Sequence, residues 1–268
     1  MPHIPVYVTR IEDLGPWVPS VNEAGQVAFT STQADGSTVV HRLTGDGFDP
    51  VSAGAASWIS HPEIDARGHI VAYARYPDGR TALLHHDGQS PTTLTESGDG
   101  WAAIGPAGPT WERDIAFRAT GTDGTDGFFV WRNGHVSRAA HTLTEPQGLP
   151  VVNRPGDVIV RGREGGRSVV RLVCEGSSQI VFDEHEHGDL GAFPGLANDG
   201  LMGCPATTSG RGTYLLRDGS DVYAAFPPGR LGAIRGGLLV SGGLLAVYAT
   251  PPDGALGIYL DPDHPPWL

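Results

Sequence analysis

The sequence contains no lysine, and all 18 of its basic residues are arginine. Mechanisms that need a lysine are therefore excluded, namely Schiff-base catalysis, the anchoring of pyridoxal phosphate and the phosphate-binding P-loop. The chain also lacks a Gly-x-Ser-x-Gly nucleophile elbow, a His-Glu-x-x-His zinc signature and an EF-hand loop. These absences leave proton-transfer chemistry and metal-assisted chemistry open.

Cysteine and long apolar runs are also scarce. The two cysteines, Cys174 and Cys204, form no Cys-x-x-Cys pair, so we expect reduced, buried thiols and no disulfide framework. No run approaches the roughly 20 apolar residues of a membrane-spanning helix. The N-terminal residues have neither the basic nor the apolar segment of a secretion signal. These features predict a cytoplasmic protein with no membrane partner.

Positive charge is in deficit, since 30 acidic residues give a net charge of −12. Such a surface repels nucleic-acid phosphates and anionic lipids, so we expect no nucleic-acid partner. Glycine and proline, in contrast, are abundant, at 39 and 22 of 268 residues. This composition favours turn-rich β structure over a helix bundle.

A repeat runs through the whole chain. Short apolar runs recur at intervals of 44, 44, 44, 43 and 44 residues, beginning at Gln26, Ile70, Asp114, Val158, Leu201 and Leu245. Each run is followed by a second strand that ends in a turn pair such as Asp87-Gly88 or Asn133-Gly134, and these pairs are strong hairpin signals. Four strands in a period of about 44 residues are typical of one blade of a β-propeller.

The repeat predicts an all-β fold: a single six-bladed β-propeller over residues 1–268, with four-stranded antiparallel blades. The last repeat lacks a fourth strand, and the segment 6–10 at the N-terminus is a spare one. We expect this N-terminal strand to close the last blade, because closure removes free sheet edges.

A motif of the form Pro-x-[Val/Ile]-[Asn/Asp]-x-x-Gly, followed by an apolar Ala-[Phe/Tyr] strand, is clearest at 19–29 and 62–73. It resembles the blade repeat of the TolB-like, PD40-type propellers. The resemblance implies the architecture and says little about activity, because function depends on sites added to the fold.

Two polar clusters are candidate catalytic or metal sites. His61 and Glu63 would face the same side of the first strand of the second blade, where a histidine and a carboxylate can exchange protons near neutral pH. On an extended segment, His185 and His187 with Asp189 would suit a divalent metal, or His185 would serve as a second base. The alternatives are a structural pair that holds water and a solvated acidic loop.

Aromatic and basic residues near the same mouth are candidate substrate-binding residues. Aromatic side chains that precede the first strands could wall a ligand pocket, although packing between blades explains them equally well. An arginine there could clamp a carboxylate, with ion pairing as the alternative. The candidates are Trp17, Trp58, Trp101, His141, Phe193 and Arg235.

These observations give two hypotheses for function. The first is a soluble enzyme that binds a small molecule at the mouth of the axial channel and uses acid–base, metal-assisted or metal-free chemistry. It would be of the lyase, cyclase, isomerase or hydrolase type and could serve specialised metabolism. The second is a non-catalytic propeller module that binds a protein or a ligand. The top loops differ between repeats, which favours one axial site and hence the first hypothesis.

Overall fold

A computed structural model describes residues 20–22, 24, 26–44, 47–51, 54–108, 114–175, 177–226, 233–239, 245–250 and 257–260. Most of these residues form antiparallel strands, and their helical content is a single four-residue turn, so the all-β prediction is confirmed. The chain divides into two compact units, residues 1–107 and 108–268. The predicted N-terminal closing strand at 6–10 lies outside the described residues.

The first unit contains two four-stranded sheets, each with its strands in sequence order, and one further strand, β9. Its elements are β1 Ser20–Val21, β2 Val27–Thr32, β3 Thr38–Thr44, β4 Gly47–Val51, β5 Trp58–Ile64, β6 Ile70–Arg75, β7 Thr81–His86, β8 Pro91–Glu96 and β9 Trp101–Ala107.

The second unit continues the same pattern, with β10 to β12, β13 to β16, β17 to β21 and β22 to β24 in successive sheets. Both β17 and β18 pair with β19, so two short strands share the edge of that sheet beside β19. The elements are β10 Asp114–Gly121, β11 Asp126–Arg132, β12 His135–Arg138, β13 Thr144–Val152, β14 Val158–Glu164, β15 Arg167–Cys174, β16 Ser177–Asp183, α1 Glu184–His187, β17 Asp189–Leu190, β18 Gly195–Leu196, β19 Met202–Thr208, β20 Arg211–Asp218, β21 Asp221–Phe226, β22 Ala233–Leu239, β23 Leu245–Thr250 and β24 Gly257–Leu260.

The repeat motif forms a turn that also links neighbouring sheets. Asp65 accepts hydrogen bonds at Oδ1 from the backbone N–H groups of Arg67 and His69, which closes the turn between β5 and β6. Asn22, one period earlier, donates through Nδ2 to the carbonyl of Asp65 at 2.8 Å. The Asn and Asp side chains of the motif therefore both close their own turns, and the Asn22 side chain also forms the contact between repeats.

The apolar core lies between the sheets. In the first unit, Ile59, Ile70 and Leu84 pack with Ala28 and Val40 of the preceding sheet. In the second unit, buried side chains of β14 to β16 and of β17 to β19 form a similar layer, and it includes Cys204. Both cysteines are free; Cys204 is buried as expected, but Cys174 is partly exposed.

Helical structure is sparse in the described part of the chain. Its one α-helix, α1, has four residues. None of the helices there reaches the length and apolar character needed to cross a membrane.

Candidate functional site

Strand β5 contains a bulge at one of the two predicted catalytic positions. Ser60 pairs with Tyr73 and Glu63 pairs with Val71, so β5 has one residue more than β6 over this stretch. His61 lies in the bulge with a φ of 48°, a left-handed backbone conformation that is unfavourable for a residue with a side chain. Such bulges redirect side chains and are frequent beside active sites.

Aromatic and polar side chains gather around this bulge. The His61 ring meets the Tyr73 ring edge-on at 6.4 Å between centroids, and Trp58 meets Tyr73 at 5.9 Å. Arg75 lies over the faces of both Trp58 and Tyr73, at 5.1 and 5.8 Å. Ser60 Oγ is 2.8 Å from His61 Nδ1. We call Trp58, Ser60, His61, Tyr73 and Arg75 the β5–β6 cluster.

Burial sets the charge state of His61. The cost of removing a charged imidazole from water lowers the pKa of His61 to about 4, from an ordinary value of 6.5. The ring is therefore neutral at pH 7, and it can accept a proton from a substrate.

Glu63 is shifted in the opposite sense. Burial raises the pKa of Glu63 to about 8, and a 2.9 Å hydrogen bond from Ser20 Oγ to Glu63 Oε2 reduces this shift without cancelling it. The same Ser20 oxygen accepts from the backbone N–H of Ile64 at 3.1 Å. The Glu63 carboxyl therefore holds a proton at pH 7 and can act as an acid.

The bulge alters the predicted arrangement of the His61 and Glu63 side chains. We expected them on one side of a regular strand, but the register shift between Ser60 and Glu63 interrupts the alternation of side chains. His61 is positioned by Ser60 and Tyr73, whereas Glu63 is bound by Ser20 of the preceding sheet. Ser20 and Tyr73 were missed because tertiary structure brings them to this place: Ser20 by the packing of one sheet on the next, and Tyr73 by the pairing of β6 with β5.

The proposed metal-binding segment is helical, not extended as expected. Asp183 Oδ1 accepts from the backbone N–H of His185 at 2.9 Å and caps α1. Residues two apart on a helix lie about 200° apart around its axis, so His185 and His187 point to different sides. His187 turns back to Asp183, with Nδ1 3.1 Å from its carbonyl oxygen.

The three predicted ligands, His185, His187 and Asp189, therefore do not form one ligand set. Asp189 is exposed and lies in β17, where it pairs with Thr207. In the described ranges, no group of three or more His, Cys, Asp or Glu side chains could hold a metal ion.

Three of the other predicted substrate-binding residues, Trp101, His141 and Phe193, are described, and they lie in different parts of the chain. Trp101 begins β9 and is partly exposed, as Trp58 is at the start of β5. His141 is exposed, and Phe193 is 43% exposed in the second unit. Trp17 and the side chain of Arg235 lie outside what the structure describes. Among the candidates whose side chains the structure describes, only Trp58 is brought into the β5–β6 cluster.

Solved propellers are similar to this chain over most of its length. A puromycin-hydrolyzing peptidase from Mycobacterium tuberculosis matches with a TM-score of 0.66 at 15% identity, over 94% of this chain and 46% of the peptidase. The putative TolB from Agrobacterium tumefaciens matches with a TM-score of 0.61 at 16% identity, over 91% and 88% of the two chains. The Aleuria aurantia lectin bound to alpha-methyl-L-fucoside matches with a TM-score of 0.53 at 13% identity, over 91% and 89%.

No protein-family model and no curated protein matches the sequence. At these identities, the likeness to solved structures shows the fold alone. The chain has the fold of a TolB-like β-propeller, which confirms the resemblance drawn from its repeat motif. The chain spans less than half of the peptidase it matches, so that enzyme's activity is not carried over.

Proposed function

We propose that this protein is a small-molecule enzyme that moves protons on its substrate, with Glu63 as the acid and His61 as the base. One observation carries the proposal: a neutral imidazole lies in a strained bulge, and a protonated carboxyl follows it two residues along the same strand. Strained backbone persists only where the surrounding structure enforces it, and it clusters at functional sites. Titratable groups with shifted pKa values also cluster at functional sites.

Each group has the charge state that its role needs. The Glu63 pKa of about 8 leaves a proton to donate at pH 7, and this value is close enough to neutrality for the carboxylate to take the proton back. Neutral His61 can accept a proton in the same turnover. Both groups start uncharged, so the resting site does not carry the cost of a buried unpaired charge.

The β5–β6 cluster indicates the class of substrate. Arg75 is exposed and stacks on Trp58 and Tyr73, which gives a cationic edge beside aromatic faces. A flat or apolar small molecule with an anionic group matches this combination. Proton transfer on such a substrate would serve elimination, isomerisation, cyclisation or hydrolysis.

We further propose that the repeats close into a six-bladed ring, in which the first strand of each blade lines the axial channel. The period of about 44 residues supports this number of blades. Strands β22 to β24 form a three-stranded sheet, and this supports completion by the N-terminal segment 6–10. In such a ring, β5 would place Glu63 and His61 at the channel.

The experiment is a binding screen followed by product analysis. The wild-type protein is screened at pH 7 against a metabolite library by ligand-observed NMR, and each ligand found is incubated with the protein and analysed by mass spectrometry. We expect conversion of a ligand by the wild type. We expect Glu63→Gln and His61→Asn each to slow conversion by about 10²-fold or more, with binding retained.

Matched controls are His135→Gln and Glu175→Gln, which alter exposed residues of the same types elsewhere. We expect both to keep wild-type turnover. Conversion at the wild-type rate by both site variants would overturn the assignment of Glu63 and His61.

Ligand binding without catalysis is the second candidate function. The match to the lectin supports it, because that propeller is described in complex with alpha-methyl-L-fucoside and the match covers 89% of its length. Recovery of every bound ligand unchanged would favour this candidate over the enzyme.

A further inference from the structure

A buried arginine lies in the second unit, on strand β14. Arg161 is only 9% exposed, and it pairs across the sheet with Gln147 on one side and Val170 on the other. Its neighbours on the same face of β14 are Ile159, which belongs to the apolar core, and Arg163. A guanidinium cannot discharge by losing its proton, so its charge has to be balanced by its surroundings.

The surroundings of Arg161 balance that charge only in part, because the nearby carboxylate of Glu184 favours the charged form but burial opposes it more strongly. Nη1 donates to the neutral amide of Gln147, and Nη2 is 3.5 Å from the hydroxyl of Ser168. Nε is buried and has no hydrogen-bond partner in the described part of the chain. The neighbouring carboxylate of Glu184 is instead occupied by the backbone N–H of Ser168, at 2.6 Å. Burial accordingly lowers the pKa of Arg161.

The unpaired Nε of Arg161 lies on the edge of the guanidinium that suits a carboxylate. Nε and Nη2 point in parallel along one side of the planar group, and this pair forms two parallel hydrogen bonds with a carboxylate. Arg163, two residues further along β14, shows the same feature, because its Nε is also buried with no hydrogen-bond partner among the described residues. Two arginines on one face of β14 thus each have a buried Nε that lacks an acceptor in this part of the chain.

The pair of arginines is exposed to solvent through Arg163, at the C-terminal end of β14. The side chain of Arg163 is 41% exposed, and its Nη1 is 3.7 Å from Glu145 Oε2. Glu145 is itself 66% exposed, and it has a strained φ of 47°. An exposed pair at this distance contributes little stability, so an incoming anion can replace it.

We propose that Arg161 and Arg163 form a binding site for a small organic carboxylate at the end of β14, and that Glu145 competes with the ligand for Arg163. The ligand carboxylate takes the side edge of Arg161, which neutralises the buried cation. This site lies wholly in the second unit. It does not depend on the function proposed for Glu63 and His61.

The test is a thermal-shift titration with succinate, benzoate, phosphate and sulfate, each compared with chloride at equal ionic strength. We expect saturable stabilisation of the wild type by at least one carboxylate, confirmed by calorimetry. Arg163→Gln should weaken that binding by about tenfold or more, since a hydrogen bond between two charged groups is lost. Glu145→Gln should strengthen it severalfold, because the internal competitor is removed.

Glu175→Gln, which removes an exposed carboxylate at the opposite end of β15, is the control and should leave the affinity unchanged. Arg161→Gln should abolish binding, and if that variant fails to fold, the opposite effects of Arg163→Gln and Glu145→Gln still decide the matter. The proposal is overturned if no carboxylate stabilises the wild type beyond chloride. It is equally overturned if only phosphate or sulfate binds, or if Glu145→Gln leaves carboxylate affinity unchanged.

Discussion

Ser20 in β1 donates a 2.9 Å hydrogen bond to Glu63 in β5, so the acid of the proposed site is bound by the preceding sheet. The two residues are 43 positions apart, close to one repeat of the sequence. The same hydroxyl accepts from the N–H of Ile64 and so ties the end of β5 to β1. Packing of one sheet against the next therefore controls the environment of Glu63.

The raised pKa of Glu63 predicts that stability falls as the pH rises. Between the ordinary pKa of 4.5 and the folded value of about 8, the folded state holds a proton that the unfolded state has released. The free energy of unfolding therefore decreases through this window and levels off above pH 8. Urea denaturation between pH 6.5 and 8.5 should show this decrease in the wild type and a smaller one in Glu63→Gln. Equal slopes for the two proteins would contradict the shift.

Opposite to the effect of Glu63, the lowered pKa of His61 predicts that stability rises with pH at lower pH. Its folded pKa of about 4 lies below the ordinary 6.5, so the unfolded state binds more protons in between, and stability rises with pH across this window. Glu63 opposes this trend above pH 4.5, so the comparison has to be made between variants. We expect the difference in unfolding free energy between wild type and His61→Asn to grow from pH 4 to pH 6.5. A constant difference would show that His61 is not buried as described.

The left-handed backbone at His61 predicts a dependence on residue type. Glycine adopts a φ of 48° without strain, whereas a β-branched residue does not. We expect His61→Val to lower the free energy of unfolding by about 1–3 kcal/mol relative to His61→Gly, measured by urea denaturation. Both variants should lose turnover. The prediction fails if Val and Gly variants are equally stable.

The hydrogen bonds of Thr38 predict that loss of its hydroxyl group lowers the stability of the protein substantially. Its Oγ1 donates to the carbonyl of Ile59 at 2.6 Å and accepts from the N–H of Ile59 at 2.8 Å. Thr38→Val keeps the shape but leaves both buried backbone groups unpaired, which should cost about 1–3 kcal/mol of stability. Thr92→Val, at an exposed threonine, is the matched control and should change stability by less than about 0.5 kcal/mol. A similar loss for both variants would count against this role.

The buried hydroxyl of Tyr214 predicts that removing it stabilises the protein. Its side chain is fully buried, and its hydroxyl has no hydrogen-bond partner in the part of the chain that the structure describes. Tyr214→Phe removes a desolvated hydroxyl, so we expect the free energy of unfolding to rise by about 1 kcal/mol. Tyr223→Phe, at a tyrosine that is 47% exposed, should have no effect. A loss of stability in Tyr214→Phe would show that the hydroxyl has a partner.

Much of the fold could be predicted from local features of the sequence. The apolar runs mark the strands, and turns such as Asn133-Gly134 lie where the hairpin signals placed them. These features depend on residues close together in the chain, because strand alternation and left-handed turn conformations are local properties. The propeller architecture was predicted from their regular repetition, and the likeness to TolB-like propellers from the resemblance of the repeat motif.

The candidate sites depended on tertiary structure. The bulge at His61 arises from the register with β6, and Ser20 meets Glu63 only because two sheets pack together. The helical turn at α1 separates His185 from His187, although their spacing suited a shared metal on an extended segment. Arg161 could not be singled out from the sequence, since the burial of its guanidinium and its unpaired Nε arise from the packing around β14. Charge state and hydrogen bonding depend on neighbours distant in the chain, and only the folded structure brings these neighbours together.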